Sequence, residues 1–538
     1  MICVLVLAVM LALATPFGNF ISTAVKSTTQ GLFDVNKNAL NSTGLINIGD
    51  QSFDSKDLND ETATFYYDHG DYIYLRNAYS GNEIGAPTIE EGRKFVKEYA
   101  AILLGASFDD ILAQGITEDD LWNEFGLTED TFEPAVLGNG WGVMVKSTDK
   151  TSYGPILESI NGEPITNVAG TFYDCESLIV SPEIPSGVTD MYDTFYGCTS
   201  LTTAPTIPNS VTDMTSTFQN CTSLATAPVI PSSVTNMEYT FYGCTSLTTA
   251  PTIPNSVTNM SCTFRNCTSL STAHKIPNSV TNMSSTFSGC TSLASPPDMS
   301  NANNVTDMSC TFENCTSLTT APKIPDSVTD MSLTFFGCTS LTTAPVLPPK
   351  IEALEWTFSD CVSLKTYVGS TDFDGNFSNY IIPSSVTDMG LTFGHCTSIV
   401  TAPTIPSNVT DMSSTFIGCK NLETAPVIPN GVTDMCRTFE DCISLIVAPE
   451  IPDGVTNMSS TFFGCTSLTT ASTIPSSVTD MDMIFRKCTS LTGTIEINAN
   501  PTNYINCFVY TSKPIILTGT STMLSQISEG WSNITIQQ

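Results

Sequence analysis

Nineteen cysteines and three histidines are the residues of this chain whose side chains most readily do chemistry. Cysteine and histidine together can form a nucleophilic dyad or bind a metal ion, and two cysteines can form a disulfide. The histidines lie in three separate regions, so their spacing predicts no metal cluster. His395 directly precedes Cys396, but neighbouring side chains rarely face each other, and we expect no dyad there. The three histidines are His69, His274 and His395.

Fourteen of the cysteines occupy one position of a repeat. From Cys175 to Cys488 the steps between them are 23 residues, apart from one step of 25 and one of 35. In a stacked array, adjacent equivalents would lie about 5 Å apart, which permits disulfide bridging. We favour a ladder of small buried thiols, because a Phe precedes and a Leu follows most of these cysteines by three residues. The sequence does not exclude disulfides on the ladder, and it does not decide between thiols and disulfides for the four cysteines off the ladder, Cys262, Cys310, Cys436 and Cys507.

An acidic stretch is the other candidate for chemistry. Asp372-Phe-Asp374-Gly-Asn376 resembles the start of a calcium loop but lacks its correctly placed glycine and its distal glutamate. The chain also has no phosphate-cradling glycine loop and no nucleophile elbow. The sequence therefore predicts no catalytic residue, no metal and no cofactor, and we expect a protein that is not an enzyme.

The elements that must position the cysteines are short. In the unit from Leu201 to Cys221, the apolar residues Val211, Met214, Phe218 and Cys221 are three or four apart, which predicts a short helical turn. Asp213 stands where its carboxylate can cap that turn. The proline-rich segment ahead of it predicts a short strand, paired in parallel with its copies.

A single 23-residue unit cannot bury its apolar side chains alone, whereas stacked copies share one continuous core. The sequence therefore predicts an array of coils. Its core includes Cys198, Cys221, Cys244, Cys267, Cys290, Cys315, Cys338, Phe195, Phe218, Phe241, Phe264, Met214, Met237 and Met260.

The motif VTDMSxTFxGCTSL, with IPxS ahead of it, resembles the BspA-type leucine-rich repeat of surface proteins over about Val168 to Leu491. This resemblance implies a right-handed leucine-rich-repeat solenoid of about fourteen 23-residue coils, with short parallel strands and short helical turns. It also implies an exposed or secreted protein that serves adhesion or ligand binding. Most units read LTTAPTIP, with Ala and Pro where the family usually has larger aliphatic residues, so the strand side is expected to be less regular.

The N-terminal residues 1–25 are apolar and precede a linker at residues 26–54. The apolar run has the length of a signal-peptide core, but no Lys or Arg precedes Lys26. A retained membrane anchor and a pilin-like helix are the alternatives, and each places the remaining chain outside the membrane. Membrane contact is expected only through this segment.

Residues 55–165 predict a small α+β domain that also caps the array. Its strands are expected around residues 62–67, 72–76, 141–145 and 155–160, and its helices at about 88–104, 107–114 and 117–125. We place the solenoid at residues 166–494 and a C-terminal β cap at residues 495–538.

The excess of acidic residues indicates which classes of partner are disfavoured. The chain has 53 acidic and 19 basic residues, for a formal net charge of −34. Nucleic acid needs clustered Lys and Arg on one face, so we expect no nucleic-acid partner. Anionic membrane surfaces are disfavoured for the same reason.

The largest irregularity adds twelve residues between Leu364 and Pro383. Insertions in repeat arrays form loops, which often carry the binding feature. The alternative is a tolerated loop that packs on its own aromatic rings. The candidate ligand contacts are Tyr367, Asp372, Phe373, Asp374, Phe377 and Tyr380.

The leading functional hypothesis is a non-catalytic, secreted or cell-surface repeat protein that binds a macromolecule, such as a host or cell-surface protein or a glycan. The alternative is a structural subunit of a surface layer or pilus-like appendage, assembled through the N-terminal helix. An enzyme in residues 55–165 would need clustered catalytic groups that the segment lacks. Ice binding through pairs such as Thr202–Thr203 would need a flat face, against which the intervening prolines argue.

Overall fold

The computed structural model describes residues 64–77, 141–160, 162–370, 374–522, 524 and 532–537. The expected N-terminal apolar segment, the linker and the three expected helices lie outside these residues. Within them, no helix is long and apolar enough to cross a membrane. The chain divides into two compact units: the first holds Met1–Thr148, Tyr153–Phe172 and Pro185–Asp190, and the second holds Asp149–Ser152, Tyr173–Ile184 and Met191–Gln538.

The first unit contains a five-stranded sheet with the order β1-β2-β3-β5-β4. β1 and β2 form an antiparallel hairpin around Gly70, whose φ of 58° suits a glycine. β2 pairs antiparallel with β3, β3 pairs parallel with β5, and β4 pairs antiparallel with β5. The strands are β1 Thr64–His69, β2 Tyr72–Asn77, β3 Trp141–Val145, β4 Ser159–Ile160 and β5 Glu163–Asn167.

Aromatic rings fill the core of this unit. Tyr72, Tyr74, Tyr153 and Phe172 are buried, and the Tyr153 and Phe172 ring centroids lie 5.3 Å apart. The tyrosine hydroxyls stay satisfied, since Tyr72 donates to the Gly154 carbonyl at 2.6 Å and Tyr74 accepts from the Leu157 amide at 3.0 Å. Aromatic rings with satisfied hydroxyls therefore pack in this core together with buried aliphatic side chains.

The second unit is a stack of coils with a phenylalanine column at its centre. In the coil that starts at Leu201, Val211, Met214, Phe218 and Cys221 are all fully buried. Each phenylalanine ring lies parallel to the next, as for Phe218 and Phe241, whose centroids are 5.6 Å apart at 6°. The 23-residue period thus places equivalent side chains directly above one another, as the spacing predicts.

The segment from Met214 to Cys221 forms a run of reverse turns. The helical turn that the spacing predicts is therefore wrong. Alternate amides bond within the coil, as from Thr217 to the Met214 carbonyl, and the amides between them bond to the next coil, as from Phe218 to Thr240. Ser216 and Asn220 have φ values of 51° and 60°, which a helix cannot accommodate. Residues three and four apart therefore share the core face without forming a helix.

The proline-rich segments pair weakly, since proline supplies no amide hydrogen. The β pairing in these segments consists mostly of isolated parallel bridges, such as Thr249 with Thr272 and Thr424 with Val447. Within the described part of the second unit the strands are short: β6 Thr343–Ala344, β7 Thr366–Tyr367, β8 Gly493–Glu496, β9 Ile515–Thr518 and β10 Ile534–Ile536.

The repeat geometry continues past the predicted end of the array at residue 494. Asn503 bridges Asp480 at the usual 23-residue offset, and Phe508 stacks on Phe485 at 5.7 Å. Strands β8, β9 and β10 then form a parallel three-stranded sheet. The segment predicted as a β cap therefore contains a further coil, in which Thr511 stands in the cysteine position.

Candidate ligand-binding face

The ladder cysteines occupy the core. From Cys221 onward, each ladder Sγ donates to the carbonyl of a phenylalanine in the preceding coil, as from Cys221 to Phe195 and from Cys244 to Phe218, both at 3.1 Å. All the described cysteines are free of disulfides. The predicted ladder residues are therefore packing and hydrogen-bonding groups; Cys310 and Cys436, which lie off the ladder, are only half-buried.

Burial suppresses the chemistry of these thiols. It raises the pKa of the Cys419 thiol to about 12 and raises the pKa of Cys244 well above its ordinary value. A thiol must ionise to act as a nucleophile or a metal ligand. The cysteine ladder is therefore chemically inert at neutral pH, despite its regular spacing.

The histidines and the acidic cap residues form no site in the described residues. His274 and His395 are exposed, and the Cys396 thiol next to His395 donates to the Phe358 carbonyl. Asp213 accepts the Thr215 amide at 2.7 Å, so it caps a turn as predicted, though not a helical one. No group of three or more potential metal-ligating side chains occurs among the described residues.

The insertion packs mainly on itself. Phe377 and Tyr380 are 0% and 3% exposed, and their rings lie 5.5 Å apart. The Tyr380 hydroxyl donates to the Pro345 carbonyl at 2.8 Å. These two rings are therefore core residues and not the exposed contacts that the sequence predicts. Tyr367 packs on both and stays half-buried, Asp374 is exposed, and Asp372 and Phe373 lie outside the described residues.

A different exposed surface is formed by the proline-rich segment that runs from the ladder leucine to the second proline of each coil, here called the rung. In the rung Leu201–Pro208, Leu201 and Ile207 are buried. Thr202, Thr203 and Thr206 are exposed between them. We call these the first, second and third rung positions. The buried residues fix the backbone, so the three exposed side chains are presented at a constant spacing from coil to coil.

The third rung position is exposed in every coil from residue 183 to residue 473, but its chemistry changes. The residues before and after it remain Ala, Pro and a buried aliphatic residue in most coils. Sequence reasoning did not single out this column, although variation at one register inside a constant repeat was the available signal. The column reads Glu183, Thr206, Val229, Thr252, Lys275, Asp298, Lys323, Val346, Ile381, Thr404, Val427, Glu450 and Thr473.

The comparisons with known proteins agree with this architecture. The family model for the BspA type leucine rich repeat region matches residues 166–294, 260–374, 366–492 and 414–527, which together span more than half of the chain. No curated protein matches the chain.

Several solved structures resemble it. A leucine-rich repeat protein from Bacteroides ovatus is 20% identical, with 74% of this chain and 96% of that chain covered and a TM-score of 0.44. A leucine rich cell surface protein from Faecalibacterium prausnitzii is 20% identical over 62% of this chain and 90% of that one, with a TM-score of 0.38. A leucine-rich repeat protein from Eubacterium ventriosum is 14% identical over 70% and 92%, with a TM-score of 0.35.

The repeated coil, its buried cysteine and phenylalanine columns and the extent of the family match lead to one assignment. The match is to a repeat region that forms a scaffold and not to an enzyme family. The chain belongs to the BspA-type leucine-rich repeat family.

Proposed function

We propose that this protein is a non-catalytic, secreted or cell-surface protein that binds a macromolecular ligand through its rung face. One observation carries the proposal: the buried positions of the coil are nearly constant, whereas the exposed third rung position changes from acidic to basic, polar and aliphatic. A surface that varies on a fixed backbone suits recognition of a large ligand. The surface location is supported by the cell-surface description of the similar Faecalibacterium protein.

The net charge of the molecule limits the classes of ligand that it can bind. With a net charge of −34, the chain is a poor match for nucleic acid. A protein or glycan ligand remains. The alternative of a surface-layer or pilus-like subunit depends on residues 1–25, which lie outside the described residues, so the coil array lends it no support.

Binding of the full chain to printed glycan and synthetic peptide arrays tests the proposal. Variants with Thr206→Lys and Thr252→Lys change the third rung position. Control variants with Thr235→Lys and Thr258→Lys change exposed threonines outside the rungs. We expect the first pair to weaken binding to the strongest array ligand about tenfold or more and the second pair to leave it nearly unchanged. Equal losses from both pairs, or no array ligand at all, would contradict the proposed function.

A further inference from the structure

A cavity of about 730 Å³ opens on the rung face between the rungs that begin at Leu422 and Leu445. This volume lies within the range of about 300–1,000 Å³ that is typical of ligand pockets. The lining combines exposed aliphatic side chains with carboxylates and contains no aromatic ring. Its principal side chains are Glu423, Val427, Ile446, Val447, Glu450 and Asp453.

The serine that joins several pairs of coils is absent on both sides of the cavity. In several other coils a serine hydroxyl bonds the preceding coil: the Ser233 and Ser256 hydroxyls donate at 2.6 Å to the carbonyls of Val211 and Val234. Gly431 and Gly454 hold the corresponding positions beside the cavity and supply no hydroxyl.

The isoleucine beneath the cavity is more exposed than its equivalents. Ile230, Ile253 and Ile428 are 5–6% exposed at their place in the rung, whereas the equivalent Ile451 is only half-buried. The cavity therefore has an apolar floor that neighbouring coils do not expose.

The walls of the cavity are aliphatic. Val427 is 86% exposed, Val447 56% and Ile446 48%. Val427 belongs to one rung and the other two residues to the next, so an apolar side chain placed between the rungs would contact both. Covering such a patch removes apolar surface from water, which favours binding.

The rim of the cavity is acidic. Glu423, Glu450 and Asp453 are exposed, and no ion pair joins them to another described residue. The lining contains no Lys or Arg. Lys420 lies on the same coil, outside the lining. The rim thus presents uncompensated negative charge around an apolar centre.

We propose that this cavity binds an extended basic peptide segment of a partner protein, with an aliphatic side chain between the rungs and Lys or Arg side chains against Glu423 and Glu450. The absence of aromatic rings from the lining disfavours a sugar ring as the occupant, and the acidic rim excludes an acidic peptide by charge. This inference rests on the proposed function. It adds the chemical class of the partner and the place on the rung face where that partner binds.

Fluorescence polarisation with the full chain and three labelled peptides of equal length tests the assignment. The peptides alternate Lys with Leu, Lys with Ser, and Glu with Leu. We expect only the Lys–Leu peptide to bind well, because it alone combines both features of the cavity. Its affinity should fall as salt rises, since the rim charges are exposed. Tight binding of the Lys–Ser peptide would reduce the effect to general electrostatics and overturn the assignment.

Matched variants locate the binding. Val427→Lys should lower the affinity for the Lys–Leu peptide about tenfold, and Val427→Ser should lower it in the same direction. Val229→Lys is the control, because Val229 holds the same register at 87% exposure in another coil. Glu450→Gln should weaken the salt dependence, whereas Glu183→Gln should not.

The outcomes separate the cavity from the function as a whole. Equal effects of Val427→Lys and Val229→Lys, or no binding of any peptide, would overturn the cavity assignment. If Thr206→Lys and Thr252→Lys still weaken binding of the strongest array ligand in that case, the proposed function stands without this site. If neither experiment shows binding, both fall.

Discussion

Threonine and cysteine recur in the coil because each adds a hydrogen bond to a buried backbone carbonyl of the preceding coil. The Thr240 hydroxyl donates at 2.9 Å to the Met214 carbonyl of the preceding coil, and the Cys244 thiol donates to the Phe218 carbonyl. Thr240 is fully buried, like its equivalents in nearly every coil. The same carbonyls also accept an amide within their own coil, so each hydroxyl bond adds a net stabilisation of about 0.5–1.5 kcal/mol and helps to fix the register.

Thiol exposure predicts a labelling pattern. In the native protein, a maleimide should react with the half-exposed Cys310 and Cys436 well before it reacts with any ladder cysteine. Peptide mass spectrometry before and after denaturation measures the order. Ladder positions that stay unlabelled in pairs after denaturation without reductant would indicate disulfides and contradict the thiol ladder.

The raised thiol pKa values predict loss of stability in alkali. An unfolded cysteine ionises near its ordinary pKa of 9.0, whereas Cys419 in the folded coil has a pKa of about 12. The folded state therefore binds more protons between these values, and stability is full below pH 9 and falls as pH rises toward 12. Each such thiol contributes a slope of about 1.4 kcal/mol per pH unit in that window.

Cys419→Ala provides the control for this effect. The variant leaves a cavity at every pH, but its free energy of unfolding should fall less steeply between pH 9 and pH 10.5 by about one proton. Urea denaturation at matched pH values measures both slopes. Identical slopes would show that Cys419 is not protected from ionisation.

At the scale of the element, an alternation in the residue before the ladder cysteine joins the coils in pairs. Asn220 is followed one coil later by Gly243, and Asn266 by Gly289. All four have positive φ, and a Cβ on either glycine would overlap the Oδ1 of the preceding asparagine. The side chain of one coil therefore lies over the bare backbone of the next.

Gly243→Ala should destabilise the array by more than the roughly 1–2 kcal/mol expected for alanine at positive φ. Gly493→Ala is the control, because Gly493 has a φ of 87° and open space around the added methyl group. Adding Asn220→Gly to Gly243→Ala should recover the excess loss. Equal losses at the two glycines, measured by urea denaturation, would show that the overlap has no role.

The insertion makes a separate prediction. Tyr380→Phe removes the hydroxyl that bonds the buried Pro345 carbonyl and should lower the free energy of unfolding by about 1–3 kcal/mol. Tyr367→Phe, in the same cluster but half-buried, should change it by about 0.5 kcal/mol or less. If the two variants are equally stable, the loop does not depend on this bond.

The sequence predicts the coil more fully than the site. A strict period fixes which residues stack, so the burial of Met214, Phe218 and Cys221 follows from spacing alone. The helical turn was wrong because repeated reverse turns produce the same three- and four-residue spacing, and only the left-handed residues distinguish them. Aromatic residues in a loop fit either a core or a surface. The carbonyl that accepts the Tyr380 hydroxyl belongs to Pro345, 35 residues away in the chain, so the local sequence does not indicate that Tyr380 is buried.

At the scale of the whole molecule, the coil array combines a nearly constant interior with a variable face. The family assignment confirms the resemblance that the motif indicates, and the coil array provides the scaffold on which the rung positions vary. Binding along a repeat array uses several coils together, so single substitutions at one rung are expected to have smaller effects than paired ones.

Hydroxyl-radical footprinting of the full chain, alone and with its strongest array ligand, tests whether the rungs form the ligand-binding face. Side-chain oxidation should decrease on binding at third rung positions such as Val229, Val346 and Val427, all of which are exposed in the free protein. Oxidation of the exposed Tyr192 and Trp356, outside the rungs, should stay unchanged. Protection confined to Tyr192 and Trp356, with the rung valines unaffected, would contradict the assignment of the rungs as the ligand-binding face.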